Sequence, residues 1–330
     1  MTVSHSISRM PTCLLRVGLS ALLAISFSTS SMHSQTALPQ TTIFDTDIGD
    51  DIDDVLALGL LLQSPEIKLA GITTAWGDTG LRANMVDRFL AQTHHTGIPV
   101  LQGIERHKQG EAKFSQAAWA RRAEPRPHAD AIDFILKTIS EHPGEVTLIS
   151  VAPLTNLGAA IDRDPQTFRK LKRIVIMGGS VRRGHYELGV QPYSKPGVEY
   201  NIGMDVPAAQ KVFAAGVPLY VMPLDSTQIR LDEVKRQALF TRSTDLTDAL
   251  ALLYAQWSRE TRQQTPIVFD AMAAAFAINP DVCPVTPLRL TVEDSGLTRE
   301  SVGKANAFVC LTSDSDSFFE FYLPRLLQAP

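Results

Sequence analysis

Only 3 cysteines occur in 330 residues, with no Cys-x-x-Cys and no histidine pair at zinc-ligand spacing, so nothing points to a zinc site. Charge of one sign is missing too. With 31 Lys and Arg against 35 Asp and Glu, the formal net charge of -4 offers no basic surface for nucleic acid or an acidic membrane, and a small-molecule substrate fits better. Nor is there a hydrophobic run long enough to cross a bilayer. The N-terminal run Val17–Phe27 has about 11 residues against the ~20 required. Arg9 and Arg16 precede it and a Ser/Thr-rich stretch follows, so residues 1–35 read as a cleaved secretory signal, cut between Ser30 and Ala37, and not as a permanent membrane anchor. The chain is therefore expected to be exported, periplasmic or extracellular. Cys13 would leave with the signal; Cys283 and Cys310 remain, to pair or to stay as free buried residues. No internal repeat or linker interrupts residues 36–330, which read as one domain.

What is present is acid, concentrated. Six aspartates (Asp45, Asp47, Asp50, Asp51, Asp53 and Asp54) fall between the apolar run ending at Phe44 and the run Val55–Leu62. The first run reads as an inner strand. The second is apolar nearly all round, as in a helix packed inside an α/β domain. The acids thus occupy a strand-to-helix turn at the edge of a core. A solvated acidic face is the commoner meaning of such a run, but these flanks argue against it. Two unit charges about 4 Å apart repel by about 4 kcal/mol at an effective dielectric near 20, whereas a helix N-terminus returns only ~0.3–1 kcal/mol. A divalent cation is the natural counter-charge, and oxygen-only donors favour Ca²⁺ or Mg²⁺. The spacing excludes an EF-hand, since Gly49 is fifth from Asp45 and Leu56 stands at the twelfth position.

Asp-Thr-Asp-Ile-Gly (45–49) followed by Asp-Asp-Val-Leu-Ala-Leu (53–58) resembles the N-terminal signature of the nucleoside hydrolases, the inosine/uridine-preferring N-ribohydrolases. The chain carries two more residues than the usual Asp-x-Asp-x-Gly-x-Asp-Asp pattern. Counting rigidly from Gly49 pairs Asp51 with Ile52, which cannot supply a second carboxylate; anchoring on the helix start matches Asp53 and Asp54. Two alternatives stay open. An Asp-x-Asp strand end is also similar to haloacid-dehalogenase-type phosphatases, with Asp45 as nucleophile, although Gly49 and the absence of a downstream Gly-Asp-rich motif count against them. An exported nucleoside- or ribose-binding protein with the same fold and little turnover is the other.

Further segments carry the resemblance. Strands at Ile67–Thr74, Ile98–Leu101, Glu145–Val151, Arg173–Ser180 and Pro218–Asp225 alternate with helical stretches. That alternation predicts an α/β fold, a mostly parallel central sheet with helices on both faces. Gly103–His128 reads as a long loop or flap, where His107 and His128 are more readily surface residues than ligands. Ala152-Pro153-Leu154-Thr155-Asn156 is similar to the second family signature, which implies that Thr155 lends a main-chain carbonyl to the metal; a helix N-cap is the other role open to it. Glu199-x-Asn201 places two polar side chains on one side of an extended segment, and the resemblance makes them ribose binders. Asp78 stands where the family has an Asn near the sugar, with a turn role as its alternative. Asp270 precedes a buried Ala-rich helix, as in the third signature, but Phe269 replaces the His that many purine-competent relatives carry there. Taken together, the resemblance implies Ca²⁺ held by Asp47, Asp54, the Thr155 carbonyl and Asp270. Asp47 would act as general base toward a water acidified by the cation, and Asp53, Asp78, Glu199 and Asn201 would contact a nucleoside. His185, Tyr186, Tyr193 or a water remain as helpers for the leaving base. Relatives often form homo-oligomers, which the resemblance leaves open here.

Overall fold

A computed structural model describes residues 38–185 and 194–328. The signal reading, Tyr186 and Tyr193 lie outside the described residues. The strands are β1 (Gln40–Thr46), β2 (Ile67–Thr74), β3 (Val100–Gln102), β4 (Ala129–Asp130), β5 (Thr147–Ser150), β6 (Arg173–Met177), β7 (Leu219–Met222), β8 (Val285–Leu288), β9 (Leu290–Val292), β10 (Thr298–Glu300) and β11 (Ala307–Cys310). Nine of them form one sheet in the order β4-β3-β2-β1-β5-β6-β7-β11-β8, parallel except where β8 runs against β11. A small antiparallel β9–β10 pair stands apart. Among the described residues, no helix is long and apolar enough to cross a membrane.

Two cores lie on the two faces of this sheet. Neighbouring β1 residues show why: Phe44 packs into the core that holds helices Asp53–Leu62 and Phe269–Ile278, and Ile43 into the one under helices Ala131–Glu141 and Thr155–Arg163. Side chains alternate across a strand, so a parallel sheet covered on both faces needs apolar residues at successive positions, which β1 supplies.

Order of strands fixes where a ligand goes. The chain builds outward from β1 through β2, β3 and β4, then returns to β1's other side with β5, β6 and β7. The crevice at this reversal opens between the carboxyl ends of β1 and β5. Beyond it, helix Asp53–Leu62 packs directly on helix Phe269–Ile278. Both are apolar all round and begin with acidic residues in their first turn, so their packing brings distant carboxylates together.

Candidate active site

Asp53 and Asp54 open one of those helices and Asp270 the other, and one carboxylate oxygen from each lies within 4.8 Å of the others. All three are buried. The Asp270 amide points at Asp53 Oδ2 at 3.4 Å, and the Thr46 hydroxyl donates to Asp54 Oδ1. Asp47 follows β1 into the same crevice. Burial, and after it the charge of Asp54, holds its carboxyl well above the ordinary carboxylate range. Burial does the same to Asp53, Asp54 and Asp270, reinforced by Asp51, Asp53 and Asp53 respectively. Four carboxylates at such density cannot all ionise unless a cation shares the site. The donor set therefore suits a hard divalent ion.

These acids floor a cavity of about 450 Å³, within the usual range for a small-molecule site. Val151, Met177, His185, Glu199, Asn201 and Phe269 are among the residues of its wall. Glu199 and Asn201 are thus brought to the acids, though not in the expected backbone form. Glu199 caps the short helix Tyr200–Met204: its carboxylate accepts from the amides of Gly179 (2.8 Å), Asn201 (2.9 Å) and Ile202 (3.1 Å). Asn201 lies within that helix, and its Nδ2 donates to the carbonyls of Val151 and Met177, each at 3.1 Å. The pair is set by a cap and a helical turn instead of by an extended strand.

Two expected residues are not brought to the cavity. Thr155 heads helix Thr155–Arg163 and its hydroxyl donates to Asp205 at 2.8 Å. A carbonyl in the first helical turn points along the helix toward the amide four residues on, so it is committed there. Val151, the residue after β5 (Thr147–Ser150), lines the cavity in its place. Asp78 is exposed and caps helix Thr79–Gln92, accepting from the Leu81 amide at 2.9 Å. His107 pairs with Glu105 and Glu111, and His128 with Asp87; neither lines the cavity.

Asp45 decides one alternative. Fully buried, it accepts from Thr73 Oγ1 (2.7 Å), Ser150 Oγ (2.9 Å) and Asn156 Nδ2 (2.7 Å), stitching β1 to β2, β5 and the helix beyond. A carboxylate so enclosed is no phosphatase nucleophile.

The two additional residues of the acidic turn also find partners. Asp50 Oδ2 meets the buried guanidinium of Arg82 at 2.9 Å, and Arg82 donates as well to the carbonyls of Trp76, Ile48 and Asp47. From the other side, Ser115 Oγ reaches the Asp50 carbonyl and Gln116 Nε2 the Asp51 carbonyl. Gly49 has φ of 121°, and a Cβ there would collide with the Phe114 ring. The stretch read as a flap is in this part a strap tied across the acidic turn. Asp51 reaches the cavity, its carboxyl raised to about 6 by burial, against the hydrogen bonds of Ile52 and Trp257. Nothing in the sequence flags Arg82, Gln116 or Trp257, which lie far from the motif and carry no spacing of their own.

An α/β protein with an all-oxygen acidic cluster at its switch point belongs to the class built for metal-assisted hydrolysis of a small polar substrate. Comparison with known proteins makes this specific. The family model for inosine-uridine preferring nucleoside hydrolase matches residues 42–320. The chain belongs to that family and is an N-glycosidic hydrolase of ribonucleosides. It is 29% identical over 319 residues to an uncharacterised protein of Schizosaccharomyces pombe, covering 87% of this chain and 99% of that one. It is 26% identical to the pyrimidine-specific ribonucleoside hydrolase RihA of Escherichia coli, covering 88% and 98%. The solved plant nucleoside hydrolase PpNRh1 superposes with a TM-score of 0.75 at 25% identity, covering 88% of this chain and all of the other.

Proposed function

We propose that this enzyme hydrolyses ribonucleosides to ribose and free base at a Ca²⁺ site, with Asp47 as general base. The observation that carries the reading is the convergence of Asp53, Asp54 and Asp270 from two packed helix starts onto one cavity floor beside Asp47. Asp47, Asp54, Asp270 and the Val151 carbonyl would hold the ion, and Asp53 lies close enough to share it or to read a sugar hydroxyl. When bound, the cation supplies charge that grips the ribose diol and acidifies water.

The chain's own residues do the rest. Glu199, its carboxylate fixed by three amides, accepts from a ribose hydroxyl, and Asn201 beside it holds the sugar's orientation. Asp47 takes a proton from the attacking water on a carboxylate oxygen while the anomeric carbon passes through an oxocarbenium-like state. The walls of Met177, Leu224 and Phe269 exclude bulk water. We also place the enzyme outside the cytosol. The Arg-flanked apolar run supports this, as does the paired Cys283 and Cys310, because disulfides persist in oxidising compartments.

The test is ribose release from a panel of purine and pyrimidine nucleosides, with and without chelator. Wild type should release ribose and lose this with chelation, and Asp54→Ala should lower kcat by about 10²- to 10³-fold or more. Full activity in Asp54→Ala, or no ribose from any nucleoside, overturns the reading.

A further inference from the structure

We propose that His185 is the acid that protonates the departing base, an inference resting on the hydrolase reading above. Expelling a nucleobase leaves an electron pair on its ring nitrogen, and a proton delivered there lowers the barrier. The cavity floor cannot deliver it, because carboxylates gathered around a cation are held ionised. Among the described residues, the protein's other candidate donors are on the wall.

Among the described residues, His185 is the only histidine lining the cavity. Its ring stands edge-on to Phe269, centroids 6.5 Å apart at 81°, and Phe269 directly precedes Asp270. The imidazole and the acidic cluster thus line the same cavity, with the Phe269 ring against the imidazole. The turn that carries it is pinned. The Gly184 amide donates to the Ser194 carbonyl at 2.8 Å, Gln228 Nε2 donates to the Gly184 carbonyl at 3.0 Å, and Ser194 Oγ donates to the His185 carbonyl. A Cβ on Gly184 would collide with the Lys195 carbonyl, so that approach needs glycine.

Other wall groups serve less well. Tyr200's hydroxyl accepts from the Ala112 amide, and burial with the nearby charge of Asp47 pushes its pKa up, making it a weaker acid. Lys113 is paired with Glu260 at 3.3 Å. Asp51 sits in the acidic turn itself, with one oxygen on the Ile52 amide at 2.6 Å. An imidazole has two ring nitrogens, so it can give a proton from one and regain it from solvent.

The step balances. The C–N bond breaks with its electron pair passing to the base; His185 gives that nitrogen a proton; water's oxygen bonds to the anomeric carbon and its proton passes to Asp47. Solvent then carries a proton from Asp47 to His185.

The experiment compares His185→Gln with wild type on natural nucleosides and on 4-nitrophenyl β-ribofuranoside, whose phenolate leaves without a proton. The variant should lose about 10²- to 10⁴-fold in kcat on nucleosides and less than about tenfold on the nitrophenyl riboside. An equal loss on both substrates marks a structural role and overturns the assignment, as does no loss on nucleosides; His185→Asn serves as a second variant should the first fail to fold. If wild type cleaves neither substrate, the hydrolase reading falls and takes this one with it.

Discussion

Asp53, Asp54 and Asp270 are placed where an isolated carboxylate is least at ease: buried, at helix starts, and within 4.8 Å of one another. Their raised pKa values have a definite sign for stability. Each of these groups, with Asp47, holds its proton in the folded chain to a higher pH than the ordinary 3.8, and Asp51 does so to about 6. Above 3.8 the folded state therefore binds more protons than the unfolded one, and metal-free stability falls as pH rises through that window. Chelated protein should show a lower Tm at about pH 8 than at about pH 5, and added Ca²⁺ should raise Tm more at the higher pH. Protons should be released on binding, seen as a buffer-dependent heat in calorimetry. A Tm that rises with pH in chelator, with equal Ca²⁺ shifts at both values, would contradict this. At this scale the motif was readable, because Asp next to an all-apolar helix is a costly choice that asks for a partner. The place of Val151 in the cavity wall was not, since an apolar side chain after a buried strand carries no mark of a site.

Between elements, the acidic turn is held by Arg82 from helix Thr79–Gln92 and by Ser115 and Gln116 from the strap. Arg82 is nearly fully buried and answers three carbonyls and Asp50. Replacing it with Met leaves a buried carboxylate unpaired, which should cost about 3–5 kcal/mol in reversible denaturant unfolding, and adding Asp50→Asn should recover part of the loss. A cost under about 1 kcal/mol would show that the pair does not hold the turn. The same scale explains what the sequence could not decide. Glu199, Asp78 and Thr155 have the right chemistry for a site, but whether a polar residue at a strand-to-helix junction faces a ligand or its own helix depends on backbone direction. Glu199 caps its helix and lines the cavity, Asp78 caps, and Thr155 turns to Asp205.

Across the whole molecule, the sheet order places the last strands of the chain on the β7 side, where Cys310 of β11 pairs with Cys283 ahead of β8, Cα atoms 5.9 Å apart. The bridge spans 27 residues and joins β11, one strand in from the sheet edge, to the segment that follows helix Phe269–Ile278. Closing a loop of that length should stabilise by about 3–4 kcal/mol through the unfolded state. Reduction, or the paired change Cys283→Ser with Cys310→Ser, should lower the denaturant midpoint accordingly, and an unchanged midpoint would show the bridge to be idle.

The sequence by itself determined the alternation of buried strands and helices, the acidic turn after β1 and the lone Asp270, because periodicity and the cost of charge beside apolar runs are local properties. It left open whether Cys283 and Cys310 meet, which residues line the cavity beside the acids, and how the two additional aspartates are satisfied. Those were decided by the packing of helix Asp53–Leu62 on Phe269–Ile278 and by the strap across the turn. Both join residues far apart in the chain, and which distant groups become neighbours is set by the route of the backbone through three dimensions.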